Sequence, residues 1–451
     1  MRQPDRRDRW RHSHVPSFCS WLPDWSVVKL EDLTLVRRGY FKVASKKNVA
    51  EEQKRFYTGQ RNHDSAPFWP QLGPVVFLAV IFLINFIARI ILSPLLPTIE
   101  KELGISHGQA GSFFFLISAG YVIGLLGSGF LASRSSHKIA IVISTAGVGL
   151  ALLGISVVSS LWAMRAGLFG LGFAGGLYIP SAIATITSLI ERPHWGKAIA
   201  VHELAPNLAF FAGPFVAELF LSWSTWRLAL SALGMASFIA SFAYFRFGRG
   251  GEFAGESPGS SAFGLLVSSA SFWIMAVLFG LGVSSTIGVY AMLPLYLVSE
   301  RQIDLTWANT VVALSRSYGP ILGVLGGWVS DRLGPKQTMV MSLTFTGIAT
   351  LLVGLVSSVW ISIVVLFQPL LAVWFFPAAF AALAATTPAA ARNLAVAFTI
   401  PCGYLIGGGI VPTFIGIMGD TGSFALGFIV TGTLILLGGT LALLLRLPAN
   451  N

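Results

Sequence analysis

Between residues 72 and 445 the chain is a succession of apolar runs, most of twenty residues or more, separated by short polar breaks. A helix needs about 20 such residues to cross a bilayer. Only 11% of the residues are charged, where soluble domains carry about 25%. The short alternating strands of a membrane barrel are missing from the pattern. The expectation is an all-α membrane protein with 12 transmembrane helices.

The runs fall at about 72–97, 108–132, 139–158, 162–190, 198–221, 226–245, 272–298, 307–330, 338–356, 360–385, 393–418 and 424–445. Residues 1–66 differ: they are polar and basic, with no periodicity and no apolar core of a secretory signal. They read as a disordered basic cytoplasmic tail, or as a gene start set too far upstream. Residues 246–271, rich in glycine, serine and charge, form the longest internal break. They are expected to be a cytoplasmic linker between an N-terminal bundle at 67–245 and a C-terminal bundle at 272–446.

The net charge of +11 does not indicate nucleic acid, because residues 1–66 alone hold 14 Lys/Arg against 8 Asp/Glu. In the spans, the basic residues keep to alternate loops. One side would hold Arg134, Lys138, Arg192, Lys197, Arg246, Arg249, Arg332, Lys336, Arg392 and Arg446, the other only Lys101, Arg227 and Arg301. That asymmetry predicts both termini in the cytoplasm, with the lipid bilayer as partner, and the setting expected is a bacterial inner (plasma) membrane. Cys19 and Cys402 offer neither a disulfide framework nor metal spacing. No cofactor or metal site is expected, and no nucleophile–base set suggests an enzyme. No GxxxxGK[ST] loop is present, so any transport would draw on a gradient.

The membrane part is duplicated. SRSYGPILGVLGGWVSDRLGPK, residues 315–336, has a weaker copy in SAGYVIGLLGSGFLASRSSHK, residues 118–138. Ser118 pairs with Ser315 at 315 − 118 = 197, Tyr121 with Tyr318, and Arg134 with Arg332 at 332 − 134 = 198. Pro97 and Pro294 share the offset 294 − 97 = 197, and Pro180 and Pro377 share 377 − 180 = 197. Parallel repeats of this kind build a central cavity between two halves, open alternately to either side.

The signature Gly327-x3-Asp331-Arg332-x-Gly334-x-Lys336, placed after the eighth span, resembles the loop motif of the major facilitator superfamily. The resemblance covers about residues 70 to 446. It implies two pseudo-symmetric six-helix bundles, alternating access, and a gate formed by Gly327, Asp331, Arg332, Gly334 and Lys336. In the first copy Ser133 replaces the acid and Ser136 a glycine, so Arg134 is expected to latch instead against Glu191 or Glu203. Asn85-x3-Arg89-x2-Leu92-Ser93-x3-Pro97 and the Glu102-Leu103-Gly104-Ile105-Ser106 that follows are similar to the opening of organic-anion and sugar-acid symporters, whose arginine grips an anion. Ala88 and Phe173 stand where that group carries acids linked to proton coupling. Arg316 is similar to the carboxylate-binding arginine of monocarboxylate transporters.

Arg316 lies 331 − 316 = 15 residues from Asp331, about 22 Å along a helix and so within the membrane. A charge there costs at least about 2.5 kcal/mol. No acid in the seventh to tenth spans lies deep enough to neutralise it, so a carboxylate cargo held by the guanidinium fork would complete the pair; a buried carbonyl is the alternative partner. Arg89, Arg316, Tyr121, Tyr318 and Asn85 are the expected substrate contacts, and His202 with Glu203 the candidates for proton chemistry. Tyr178, Tyr290, Gln368 and Tyr404 read as helix-to-helix hydrogen bonds. The expected function is secondary active transport of a small organic anion, a carboxylate in chemical terms, by a monomer coupled to H+ or Na+. An exporter of drug-like or lipophilic molecules and a transporter-derived ligand sensor are the alternatives.

Overall fold

The computed structural model describes residues 68–255, 269–387, 392–445 and 447; the expected tail at 1–66 and most of the expected linker lie outside them. Eleven helices among the described residues are long and apolar enough to span a bilayer. In chain order they are α1 (Trp69–Leu103), α2 (His107–Arg134), α3 (His137–Val157), α4 (Leu161–Leu189), α5 (Arg192–Leu221), α6 (Trp226–Phe247), α7 (Ala270–Ser299), α9 (Pro335–Leu355), α10 (Ser358–Thr386), α11 (Leu394–Asp420) and α12 (Phe424–Leu443). The twelfth, α8, is in two pieces, Leu305–Leu314 and Gly319–Leu333.

The break in α8 follows from its sequence. Pro320 has no N–H to give to the carbonyl of Arg316, and it biases Gly319 away from helix. The chain tightens instead: Arg316 N–H bonds to Ala313 O (2.9 Å), Ser317 N–H to Leu314 O (3.1 Å) and Gly319 N–H to Arg316 O (3.1 Å). A helix expected at 307–330 is thereby divided at Arg316 itself. Two other spans loosen rather than tighten. α7 contains a π-turn at Ser284–Gly288 and α11 one at Tyr404–Ile410, a form of helix that recurs at functional sites. The two turns lie against each other, and a β-carbon on Gly407 would come within 2.3 Å of Ser284 N.

Within the N-terminal bundle, glycines let α2 and α4 touch backbone to backbone. A β-carbon on Gly172 would stand 2.0 Å from Ile117 O, and one on Gly124 would stand 2.1 Å from Phe173 O. Membrane helices gain little from hydrophobic association, so this close approach supplies the packing.

Among the described residues the bundles pack together chiefly at one end. There α2 packs on α11, the second part of α1 on that of α7, and α5 on the first piece of α8. These pairings are exchanged by the pseudo-twofold of the repeat. Asp420 Oδ2 accepts from Ser106 Oγ (2.7 Å) and from Gly108 N–H (3.0 Å), capping the N-terminus of α2 from the other half. Glu218 accepts from Thr306 Oγ1 (2.6 Å) and Asn309 Nδ2 (3.3 Å). At the opposite end no comparable packing joins α4 to α10 or α11 among the described residues. This end is open.

The start of the expected linker is docked. Residues 248–255 lie on the turn between α2 and α3: Lys138 N–H donates to Gly251 O (2.7 Å), His137 N–H to Phe253 O (3.2 Å) and Gly255 N–H to Ala132 O (3.0 Å). Lys138 Nζ pairs with Glu252 at 3.0 Å. Gly250 and Gly251 take φ of 81° and 74° to make the bend, a region open to glycine.

Candidate substrate and coupling site

Arg89 and Arg316 come from opposite halves and are buried, 7% and 6% exposed. Neither has a carboxylate within 4.0 Å among the described residues. The Arg89 guanidinium carbon lies 4.5 Å from the ring centre of Tyr121 and 4.8 Å from that of Phe86, and its Nε is 3.4 Å from Asn85 O. Tyr404 of α11 leans on Tyr121 with centroids 4.7 Å apart, and both phenols are in electrostatic contact with Arg89. Gly175 makes the room: a β-carbon there would sit 3.2 Å from Arg89 Cδ and 3.4 Å from Asn85 Oδ1. A cavity of about 30 Å³ opens beside the guanidinium, walled by Phe114, Ser118 and Tyr121 from one half and by Ile287, Tyr404 and Gly408 from the π-turns of the other. The amide nitrogen and oxygen of Asn85 are buried without partners.

Arg316 reaches the π-turn of α7. Its Nη2 donates to Thr286 O at 3.2 Å, while Gln368 Nε2 donates to the neighbouring Ser285 O at 3.0 Å. The backbone carbonyl is one partner for the charge, and Nε remains buried with none. The guanidinium carbon lies 5.1 Å from the Phe210 ring centre and 5.3 Å from that of Tyr290, within range of cation–π attraction. Phe210 in turn meets Phe86 (5.2 Å) and Tyr290 (4.9 Å) edge to face. Thus the two guanidiniums are bridged by Phe86 and Phe210 just under the sealed end. The hydroxyl of Tyr290 is buried without a partner.

The other expected contacts divide. Tyr121 stands at the Arg89 cavity. Tyr318 does not join it, because its hydroxyl donates to Leu366 O on α10. His202 is completely buried, with its ring stacked on Phe82 at 4.6 Å. Its Nε2 is 3.2 Å from Tyr178 Oη and its Nδ1 is 3.2 Å from Glu203 Oε1. It belongs to the core of the N-terminal bundle, while Glu203 is half exposed.

The expected gate residues lie at the open end. Asp331 and Arg332 are exposed, Arg332 rests on Trp328 (5.0 Å), and Lys336 Nζ donates to Leu445 O (2.9 Å). Gly334 ends α8 with φ 89°, whereas a β-carbon on Gly327 would meet nothing within 4 Å. The expected contact of Arg134 with Glu191 or Glu203 is not made. Arg134 lies 3.7 Å from the Phe130 ring centre, its neighbour one turn back on α2, and the turn is held through Lys138 and Glu252 instead.

Sequence reasoning missed a symmetric pair of clamps. Glu102, ending α1, accepts from Trp226 Nε1 (2.6 Å) and pairs with Arg227 at the start of α6. Glu300, following α7, accepts from the N–H groups of Phe424 and Ala425 at the start of α12. The offsets 300 − 102 = 198 and 424 − 226 = 198 continue the repeat, and that spacing was the available signal.

Two six-helix bundles that face each other across buried charge and meet at one end define an integral membrane transporter. The chain matches the Major Facilitator Superfamily over residues 78–325 and 302–451, and it belongs to that family. Its fold is similar to that of a bacterial homologue of the human lysosomal transporter Spinster in an inward-facing, unoccupied conformation (TM-score 0.70, 14% identity, 84% of this chain and 97% of that one). The nucleoside transporter NupG is comparable (TM-score 0.70, 13% identity, 82% and 99%). A stretch of 127 residues, 27% of this chain, is 28% identical to the synaptic vesicular amine transporter of Bos taurus and spans 25% of that relative's length.

Proposed function

We propose that the chain is a secondary active transporter of a small organic anion, a carboxylate, which Arg89 and Arg316 hold from the two halves. One observation carries the reading: two buried guanidiniums lie against Phe86 and Phe210, whose rings meet edge to face, with no protein carboxylate beside either among the described residues. Burying an uncompensated cation in a membrane costs at least about 2.5 kcal/mol. A carboxylate arriving between them would relieve that cost through paired, charge-assisted hydrogen bonds. The sealed end would face outward and the termini the cytoplasm, in keeping with the basic loops.

The test is uptake into proteoliposomes of labelled gluconate, succinate and benzoate, with labelled tetraethylammonium as the cationic control. Wild type is expected to carry at least one of the acids and not the cation. Arg89→Ala or Arg316→Ala should lower that uptake at least about a hundredfold, the loss of a charge-assisted fork. Transport of the cation alone would end the anion reading. The local likeness to an amine transporter favours a second reading, export of basic or lipophilic molecules, and that outcome would support it.

A further inference from the structure

The geometry points to His202 and Glu203 as the site that binds the coupling proton, an assignment that rests on the anion-transport reading for what the proton is coupled to. The argument starts from one hydroxyl hydrogen. Tyr178 Oη lies 2.6 Å from the carbonyl oxygen of Leu78. A carbonyl only accepts, so the tyrosine proton points there. Toward His202 the tyrosine oxygen must therefore accept, and Nε2, at 3.2 Å, must carry a hydrogen. A neutral imidazole with its hydrogen on Nε2 has a bare lone pair on Nδ1. That lone pair would face Glu203 Oε1 at 3.2 Å, and two acceptors would repel. The arrangement is satisfied only when one more proton lies between Nδ1 and Oε1, held by either group.

The pair can load and unload it. His202 is sealed in place, 0% exposed, with Phe82 of α1 on its face and Tyr178 of α4 at its edge. The Glu203 side chain is 50% exposed and can take a proton from water at the open end and deliver it to the gap. When the proton leaves by the same route, the contact loses its attraction and the carboxylate turns away. The titratable groups facing the pair are Tyr178, and, in electrostatic reach of Glu203, Tyr121 of α2 and Tyr404 of α11. The latter two also flank Arg89.

This placement couples proton to anion. Phe82, Phe86 and Arg89 follow at i, i+4 and i+7 on one face of α1, so Arg89 lies about 10 Å along the helix from the ring against His202. Glu203, Asn207 and Phe210 follow the same spacing on α5 and lead to Arg316: Asn207 Oδ1 would be 3.0 Å from a β-carbon on Gly319, and Phe210 faces the guanidinium. An extra positive charge at the pair is disfavoured by the two guanidiniums, which have no carboxylate beside them among the described residues. An anion that neutralises them should raise proton affinity about tenfold, and the proton should raise anion affinity by the same factor.

The test uses the full chain, labelled with 15N-histidine and reconstituted in lipid, with His202 assigned as the ring signals lost in His202→Gln. Expected across a pH titration is a ring protonated on Nε2 throughout, with a second proton on Nδ1, or shared with Glu203, at its acid end. Glu203→Gln, whose amide can itself donate to Nδ1, should leave the ring with its hydrogen on Nε2 alone under the same conditions. A ring that carries its hydrogen on Nδ1 alone, or a second proton that Glu203→Gln leaves in place, would overturn the site. Coupling is read separately, with pyranine trapped in proteoliposomes and each of the three acids supplied outside. His202→Gln and Glu203→Gln should lose acid-driven proton entry at least about tenfold, while acid exchange stays measurable with its half-saturating concentration raised by up to about tenfold, if the pair links the two fluxes. Proton entry that survives both substitutions refutes the coupling role. If wild type exchanges none of the acids, the anion reading and the coupling claim fall together, whereas the ring titration decides the proton site without any cargo.

Discussion

Ser93 Oγ donates to the main-chain oxygen of Tyr290 at 2.8 Å, and the two residues stand 290 − 93 = 197 apart, the offset of the internal repeat. Each is therefore the other's counterpart, and their bond joins the halves near the pseudo-twofold, one turn from Arg89. Ser93→Ala removes one neutral hydrogen bond, about 1 kcal/mol. The population separated at the sealed end should rise about fivefold. Spin labels at the exposed positions Ser222 and Gln302, read by double electron–electron resonance, would register it.

Asp420 and Glu218 hold the same end together with charge. Asp420 caps α2 from across the interface, so Asp420→Asn keeps a possible acceptor and loses the interaction with the helix N-terminus, about 0.3–1 kcal/mol. Glu218→Ala takes the acceptor from Thr306 Oγ1 and leaves the buried Asn309 Nδ2 only Pro94 O at 3.4 Å, and should have the larger effect, about 1–3 kcal/mol. The same label pair is expected to rank them in that order.

Lysine should not replace either central arginine. Arg89→Lys and Arg316→Lys keep the charge but lose the planar fork and its stacking on Tyr121 or Phe210. Uptake of the carried acid should fall at least about tenfold, with a raised KM, in the proteoliposome assay. Tyr404→Phe, which removes a hydroxyl beside Arg89, should weaken uptake less, by about threefold to tenfold.

The glycine seam tests the bundle rather than the site. Gly172→Leu drives a side chain into the carbonyl of Ile117 and should cost about 3 kcal/mol or more. Folded protein after mild heating in detergent, read by size-exclusion chromatography, should drop sharply. Gly170→Leu, whose β-carbon would meet nothing within 4 Å, should behave as wild type.

The two glutamate clamps should be interchangeable in effect. Glu102→Gln and Glu300→Gln each weaken a bond between the first and last helices of one half, worth about 1–3 kcal/mol. Each variant should melt earlier, and the double variant should show nearly the sum, since the clamps lie in separate bundles.

What the sequence made legible is what periodicity and spacing encode: the helical runs, the duplication at 197 and the two charges too deep for lipid. It did not reveal the division of α8, because Arg316 and Tyr318 had been counted as turns of one continuous helix and Pro320 was given no weight. The π-turns at 284–288 and 404–410 have no apolar period of their own, which hid the approach of Tyr404 to Arg89. His202 is legible only as a titratable residue early in α5; the packing of Phe82 and Tyr178 that puts it in the core has no signal in the sequence. Tyr318 was paired with Tyr121 by the repeat, yet the break in α8 turns its hydroxyl to Leu366.

The division of α8 gives the molecule a lever with its fulcrum at Arg316. One arm, Leu305–Leu314, is pinned to α5 by Glu218, while the other, Gly319–Leu333, carries Asp331 and Arg332 at its tip. A few degrees of bend at the three tightened bonds would swing that tip, with about 22 Å of helix to amplify it. On the proposed anion binding, a pull on the Arg316 guanidinium would act at the joint itself, so the tip at Asp331 would move while Leu305–Leu314 stays pinned to α5.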